Sequence, residues 1–354
     1  MPPPAERLTV LPEENLILAA VRGQALPRGP VDVERLIRLA DWHGLTPLVY
    51  RAVAAAERGC DQELSAALLC GFRHVQRDNL LLLDRPGRLH DLLDAAGLEY
   101  VLLKGGALIP MVYESADLRP MADIDLLVKA GDWPMLRAVL EEAGGYDWPA
   151  PRQEERRLHY FHKLEISTCE TPASVYELHT GLEIAGRRSL STEECLGRAV
   201  PVDFLGRTFM RLCDADLAFH LVIHAARHFS RPRLIWIYDL RLLAAAGLLD
   251  WSRLREAATG TSSRVAAFFT LAYLEKVFPG TVPHAELEAL DPGPVRRRIF
   301  AAYETPDPLL PTRDVWSPGQ RWFFAVALLD EPMAMIRFLA PHLYRRFVLG
   351  AADD

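Results

Sequence analysis

Apolar residues recur at helical spacing through the first part of the chain: Val33, Leu36, Ile37 and Ala40, then Leu48 and Val49, with Gly44 and Pro47 marking a break. Leu64, Ala67, Leu68, Val75, Leu80 and Leu83 carry the same period through a longer helical hairpin, and a helix near 88–96 stops at Gly97. The period then shortens. Tyr100-Val101-Leu102-Leu103 is an apolar run expected of a buried strand. A helix is expected over 107–113, with Pro110 near its first turn. A strand over 123–128 follows, then a helix over 133–143 stopped by Gly144-Gly145, then strands over 161–167 and 174–179 separated by the turn-like residues 169–172. Leu217, Leu221, Ala225 and Phe229 restore the helical step. Helices are expected over 234–248, 251–258, 263–277, 294–303 and 321–349, with Gly/Pro-rich loops near 279–283, 292–294 and 305–319. The pattern predicts an α+β protein. A helical region over 1–96 and another over 206–354 flank an α/β core over 97–205 with about four or five strands.

Composition narrows this little. A net charge of −7 argues against a stable nucleic-acid partner. No apolar run approaches the roughly 18–20 residues of a membrane span, and the start lacks the basic and apolar regions of a secretion signal. Five scattered cysteines form no zinc or disulfide pattern. A cytoplasmic protein is the expectation. The apolar run 322–329, followed by Arg337, Arg345 and Arg346, suits either a peripheral membrane contact or a buried helix pair.

The chemistry concentrates at Leu103-Lys104-Gly105-Gly106 and Asp123-Ile124-Asp125-Leu126-Leu127-Val128. Side chains two apart on a strand share a face, so Asp123 and Asp125 project together. Paired carboxylates repel unless a cation joins them, and magnesium, a hard ion that bridges carboxylates to phosphates, is the expected partner, with manganese as the alternative. Gly105 and Gly106 let a backbone approach phosphate, and the following helix offers unpaired N–H groups. Glu177 and His179 share a strand face by the same period.

This order resembles the polymerase-β-like nucleotidyltransferase superfamily. More closely, Leu103-Lys104-Gly105-Gly106, Tyr113, Arg119, the Asp123–Val128 run, Val175-Tyr176-Glu177-Leu178-His179, the stretch 220–228 and Trp236-Ile237-Tyr238-Asp239-Leu240 are similar to a bacterial group of uncharacterised nucleotidyltransferases. The resemblance implies a small polymerase-β-like sheet with Asp123 and Asp125 as metal ligands and Glu177 as third carboxylate, on a second metal or taking the acceptor's proton. It implies Gly105 and Gly106 facing a nucleoside triphosphate, and transfer of a nucleoside monophosphate to a small-molecule, peptide or protein acceptor. A catalytically silent nucleotide-binding or interaction module of the same fold is the alternative.

Several residues carry two readings. Lys104 either contacts phosphate or neutralises Asp125. Arg119 either reaches phosphate or pairs at the surface with Asp117 or Glu114. His179 orients Glu177 or contacts substrate. His220, His224 and His228 form one row on a helix. They lack the remaining ligands of a zinc site, so they either pack or, for His224 and His228, line a nucleotide cleft. Asp239 faces that cleft or bonds between helices. His159-Tyr160-Phe161-His162-Lys163 either stacks a purine or forms an exposed strand.

Overall fold

The computed structural model describes residues 11–56, 62–84, 86–170, 173–183, 188–229, 233–303 and 317–348. Among them are the strands β1 (Tyr100–Leu102), β2 (Ile124–Val128), β3 (Tyr146–Asp147), β4 (Lys163–Thr168), β5 (Val175–His179), β6 (Val200–Phe204) and β7 (Arg207–Arg211). They form one mixed sheet in the order β3-β4-β5-β2-β1-β7-β6. The α+β class is therefore observed, with a sheet wider than four or five strands.

The sheet centre is buried because its sequences are apolar: β1 and β2 are buried at every position. β2 runs antiparallel to β1 and parallel to β5, and its register sets Asp125 opposite Glu177 and Leu127 opposite His179. In a parallel ladder, residues at the same level share a face, so the register brings one acid from each strand together. Antiparallel β4 sets Lys163 opposite His179. One continuous apolar core runs from Leu16 in the N-terminal helices, through Leu126 and Leu178 of the sheet, to Leu328.

Local differences from the expected elements have physical causes. The helix after β1 begins at Lys104, not at 107, and spans Lys104–Val112, so Gly105 and Gly106 lie in its first turn and Pro110 in its interior. The stretch expected to begin a strand at 161 instead ends a helix, Pro151–Phe161, which His162 stops at φ 50°, and β4 starts only at Lys163. His159, Tyr160 and Phe161 therefore belong to a helix end rather than to an exposed strand. The single helix expected over 321–349 is two, Pro318–Ala327 and Pro332–Val348. Between them, Asp330 accepts the backbone N–H groups of Arg264 and Val265 and so caps helix Arg264–Val277. The expected turn at 171–172 and most of the loop at 305–319 fall outside the described residues. No described helix is long and apolar enough to cross a membrane.

Candidate active site

Three elements converge on the acid cluster: the β1-to-helix turn, the start of β2 and the end of β5. Leu103 N–H donates to the Asp125 carbonyl at 3.0 Å, which fixes the turn against β2. Lys104 then adopts φ 43°, a left-handed conformation that costs an L-residue about 1–2 kcal/mol. Its Nζ lies 2.5 Å from Asp125 Oδ1 and 3.1 Å from Glu177 Oε2. His179 Nε2 is 3.0 Å from the same two oxygens. Lys163 Nζ bonds to Glu177 Oε1, so both oxygens of Glu177 meet an ammonium. Of the two readings of Lys104, the structure shows the one that neutralises Asp125.

Burial makes these contacts strong. Asp125 is 3 % exposed, and its carboxyl is driven up by burial but held below its ordinary value by Lys104 and the His179 hydrogen bond. Glu177 follows the same balance, with burial opposed by His179, Lys104 and Lys163. Lys104 is pushed down by burial, yet Asp125 and Glu177 carry it above its usual range. Asp123 differs. It precedes β2, has no ion-pair partner among the described residues, and is raised by burial and then by Asp125 to about 6.

Asp125, Glu177 and His179 offer ligand atoms all within 4.8 Å of one another. Asp123, two residues before Asp125, is not in that group but has no ion-pair partner among the described residues, and with it the set is rich in hard carboxylate oxygen, which fits magnesium or manganese better than a soft metal. Ligands must shed protons to bind an ion. The Mn2+ affinity is therefore expected to hold above pH 6 and to fall about tenfold per pH unit below it, as Asp123 takes up a proton. Manganese titration across pH 5–8 checks this, and a pH-independent affinity would remove Asp123 from the ligand set.

Behind the acids stands the histidine row of helix Asp214–Arg227 and its cap. His220 and His224 are buried, and burial, then Lys104, holds both imidazoles well below their usual range and so neutral. His228 is lowered by burial, then by Arg227 and Lys104. The rings of His224 and His228 lie 4.9 and 5.6 Å from that of Trp236, forming an aromatic wall. Among the described residues, His220 Nε2 and His224 Nδ1 are buried without a hydrogen-bond partner.

Arg119 and Asp239 are given to each other. Arg119 Nε and Nη2 donate to the two Asp239 oxygens at 3.0 and 2.8 Å, and Tyr113 Oη donates to Asp239 at 2.6 Å. The expected surface pairing of Arg119 with Asp117 or Glu114 is corrected. Arg119 is 6 % exposed, Glu114 pairs with Arg51, and Asp117 accepts from Gln76. Buried Asn79 staples the loop that carries Arg119, donating to the carbonyls of Ala116 and Arg119 and accepting from Met121 N–H.

Gly105 belongs to this frame. A Cβ there would sit 2.4 Å from Arg119 Nη1 and 2.6 Å from Met121 Sδ, whereas one at Gly106 would meet only Leu102 at 3.6 Å. Gly105→Ala is therefore expected to destabilise by about 1–3 kcal/mol through overpacking. Gly106→Ala is expected to be neutral, or stabilising by up to about 1 kcal/mol from helix propensity. Urea midpoints of the two variants check the difference.

Lys163 and Arg233 are site residues that sequence reasoning missed. Arg233 donates to the Trp42 carbonyl and has no carboxylate partner among the described residues; burial, then Arg119, lowers it, and Asp123 opposes them. A basic residue at the first position of the strand beside an acid-bearing strand was the available signal for Lys163. Arg233 carried none.

No curated protein matches the chain. The family described as "Uncharacterised nucleotidyltransferase" matches residues 29–279, a span that holds the sheet, the acid cluster and the histidine wall. The chain belongs to this nucleotidyltransferase family.

Proposed function

We propose that the protein uses a divalent ion, magnesium or manganese, to move a nucleoside monophosphate from a nucleoside triphosphate to a hydroxyl or phosphate of a small-molecule, peptide or protein acceptor. The acceptor oxygen bonds to the α-phosphorus as the bond to pyrophosphate breaks, and an acceptor hydroxyl loses its proton to a carboxylate of the cluster. The observation that carries this reading is the register of β2 on β5, which sets Asp125 opposite Glu177.

Asp123 and Asp125 would hold the ion, with Glu177 the third acid of the centre. The bound ion would supply charge neutralisation at the triphosphate. The N–H groups of the first turn of helix Lys104–Val112 are free of intrahelical partners and suit phosphate oxygens. Lys104 and Arg233 add positive charge on that side. Trp236, His224 and His228 form the apolar and neutral polar surface suited to a base or an acceptor. Arg119 and Asp239 position this wall.

The test is incubation with each of the four α-labelled nucleoside triphosphates, magnesium or manganese, and a cell extract, followed by mass analysis of both protein and extract. A metal-dependent mass increase equal to a nucleotidyl group on some component is expected. Triphosphate binding with no transfer to any component would contradict the proposal.

A further inference from the structure

The acid cluster holds more fixed positive charge than a two-ion centre has room for. Lys104 Nζ bridges Asp125 Oδ1 and Glu177 Oε2, at 2.5 and 3.1 Å, between the two facing strands. Lys163 takes the remaining oxygen of Glu177. A second divalent ion on Glu177 would have to displace both ammonium groups. Lys104 is not loosely placed, because its side chain is 13 % exposed and its left-handed backbone sits at a turn pinned by Asp125.

Charge counting leads to the same point. Asp123, Asp125 and Glu177 bring three negative charges and the two lysines bring two positive ones, so this set of five side chains stands at −1. One divalent ion takes it to +1. Three acids without lysines need two divalent ions to reach the same +1. The charge presented to a triphosphate is then equal in the two designs, and electrostatic stabilisation depends on that charge and its placement.

We infer that Lys104 and Lys163 take the place of a second metal ion, so that the centre works with a single divalent ion on Asp123 and Asp125 and with Glu177 as the anchor of the two lysines. This rests on the metal-dependent reading above. Lys104 becomes a residue that presents charge to the phosphates, and Lys163 a positioning residue that acts through Glu177.

The experiment is equilibrium dialysis with Mn2+ alone, free ion being read by paramagnetic resonance, on full-length wild type, Lys104→Met, Lys163→Met and Asp123→Asn, each checked for folding by circular dichroism. Wild type is expected to bind one Mn2+ per chain and Asp123→Asn to lose it. Lys104→Met, which leaves Asp125 Oδ1 and Glu177 Oε2 to His179 alone, is expected to gain a second ion. Should that variant fail to fold, Lys163→Met, whose side chain is 29 % exposed, is expected to gain a weaker one. Two ions in wild type would overturn the inference and leave the nucleotidyltransferase reading intact. Folded lysine variants that still bind one ion would overturn it as well. No bound Mn2+ in wild type would instead overturn the metal-dependent reading, and the inference with it.

Discussion

Asp125→Asn is expected to destabilise the metal-free protein and Asp123→Asn to stabilise it, and both are expected to lose nucleotide transfer. The two acids sit two residues apart in the sequence but in opposite electrostatic conditions. Asp125 is compensated by Lys104 and His179, so its charge is held in the fold. Neutralising it leaves the buried Lys104 ammonium with Glu177 alone, and breaking a buried pair from one side costs about 3–5 kcal/mol. Asp123 has no ion-pair partner among the described residues, and burial and Asp125 outweigh Lys104 and Lys163 to raise it to about 6. Its folded value lies above the ordinary 3.8, so the neutral form is the one the fold favours. That contribution is complete below pH 4 and is lost as pH rises through 6. Above pH 6, Asp123→Asn removes a charge the fold resists and is expected to gain about 1–3 kcal/mol. At pH 4 the gain should vanish. Thermal melts at pH 4 and pH 7.5 read both effects, and loss of transfer by about 10²–10³-fold or more in each variant separates function from stability.

The second large effect is expected at Arg119 and Asp239, 120 residues apart in the chain. Asp239 is fully buried and Arg119 nearly so. Arg119→Met leaves a buried carboxylate and Asp239→Asn a buried guanidinium, each at a cost of about 3–5 kcal/mol. Tyr113→Phe removes one hydrogen bond to the charged Asp239 and is expected to cost less, about 1.5–3 kcal/mol. Because all three act on one network, the double variant Arg119→Met with Asp239→Asn should lose less than the sum of its parts. Urea unfolding of the four variants measures this, and additive losses would mean that the pair is not a unit. Helix Leu234–Ala245 carries both Asp239 and Trp236, so loosening the pair is also expected to loosen the wall beside the acids.

The centre of this site was legible because its signals are local. Alternation alone places Asp123 with Asp125 and Glu177 with His179, and His179 Nε2 does lie 3.0 Å from Glu177 Oε2. The helical flanks were legible from their period. What alternation does not carry is which strands are neighbours; the resemblance implied that Glu177 joins the aspartates, and the register sets it opposite Asp125. The same limit hid the Arg119–Asp239 pair and the capture of Glu177 by Lys163.

The β6–β7 hairpin escaped for a different reason. Its two-residue turn, Leu205-Gly206, has positive φ at both positions, 51° and 75°. Such turns are usually announced by Asn-Gly or Asp-Gly, and a leucine there gives no warning. His162 hides the end of its helix in the same way, by taking φ 50° without being glycine.

Nucleotide transfer is expected to depend on an ion held by Asp123 and Asp125. Its most direct measurement is the rate of α-phosphate label transfer to cell-extract acceptors by wild type and by the double variant Asp123→Asn with Asp125→Asn, each in magnesium and in EDTA. Transfer by wild type in magnesium, abolished by EDTA and absent from the folded double variant, is the predicted result. Equal transfer by the folded double variant, or transfer that persists in EDTA, would contradict it.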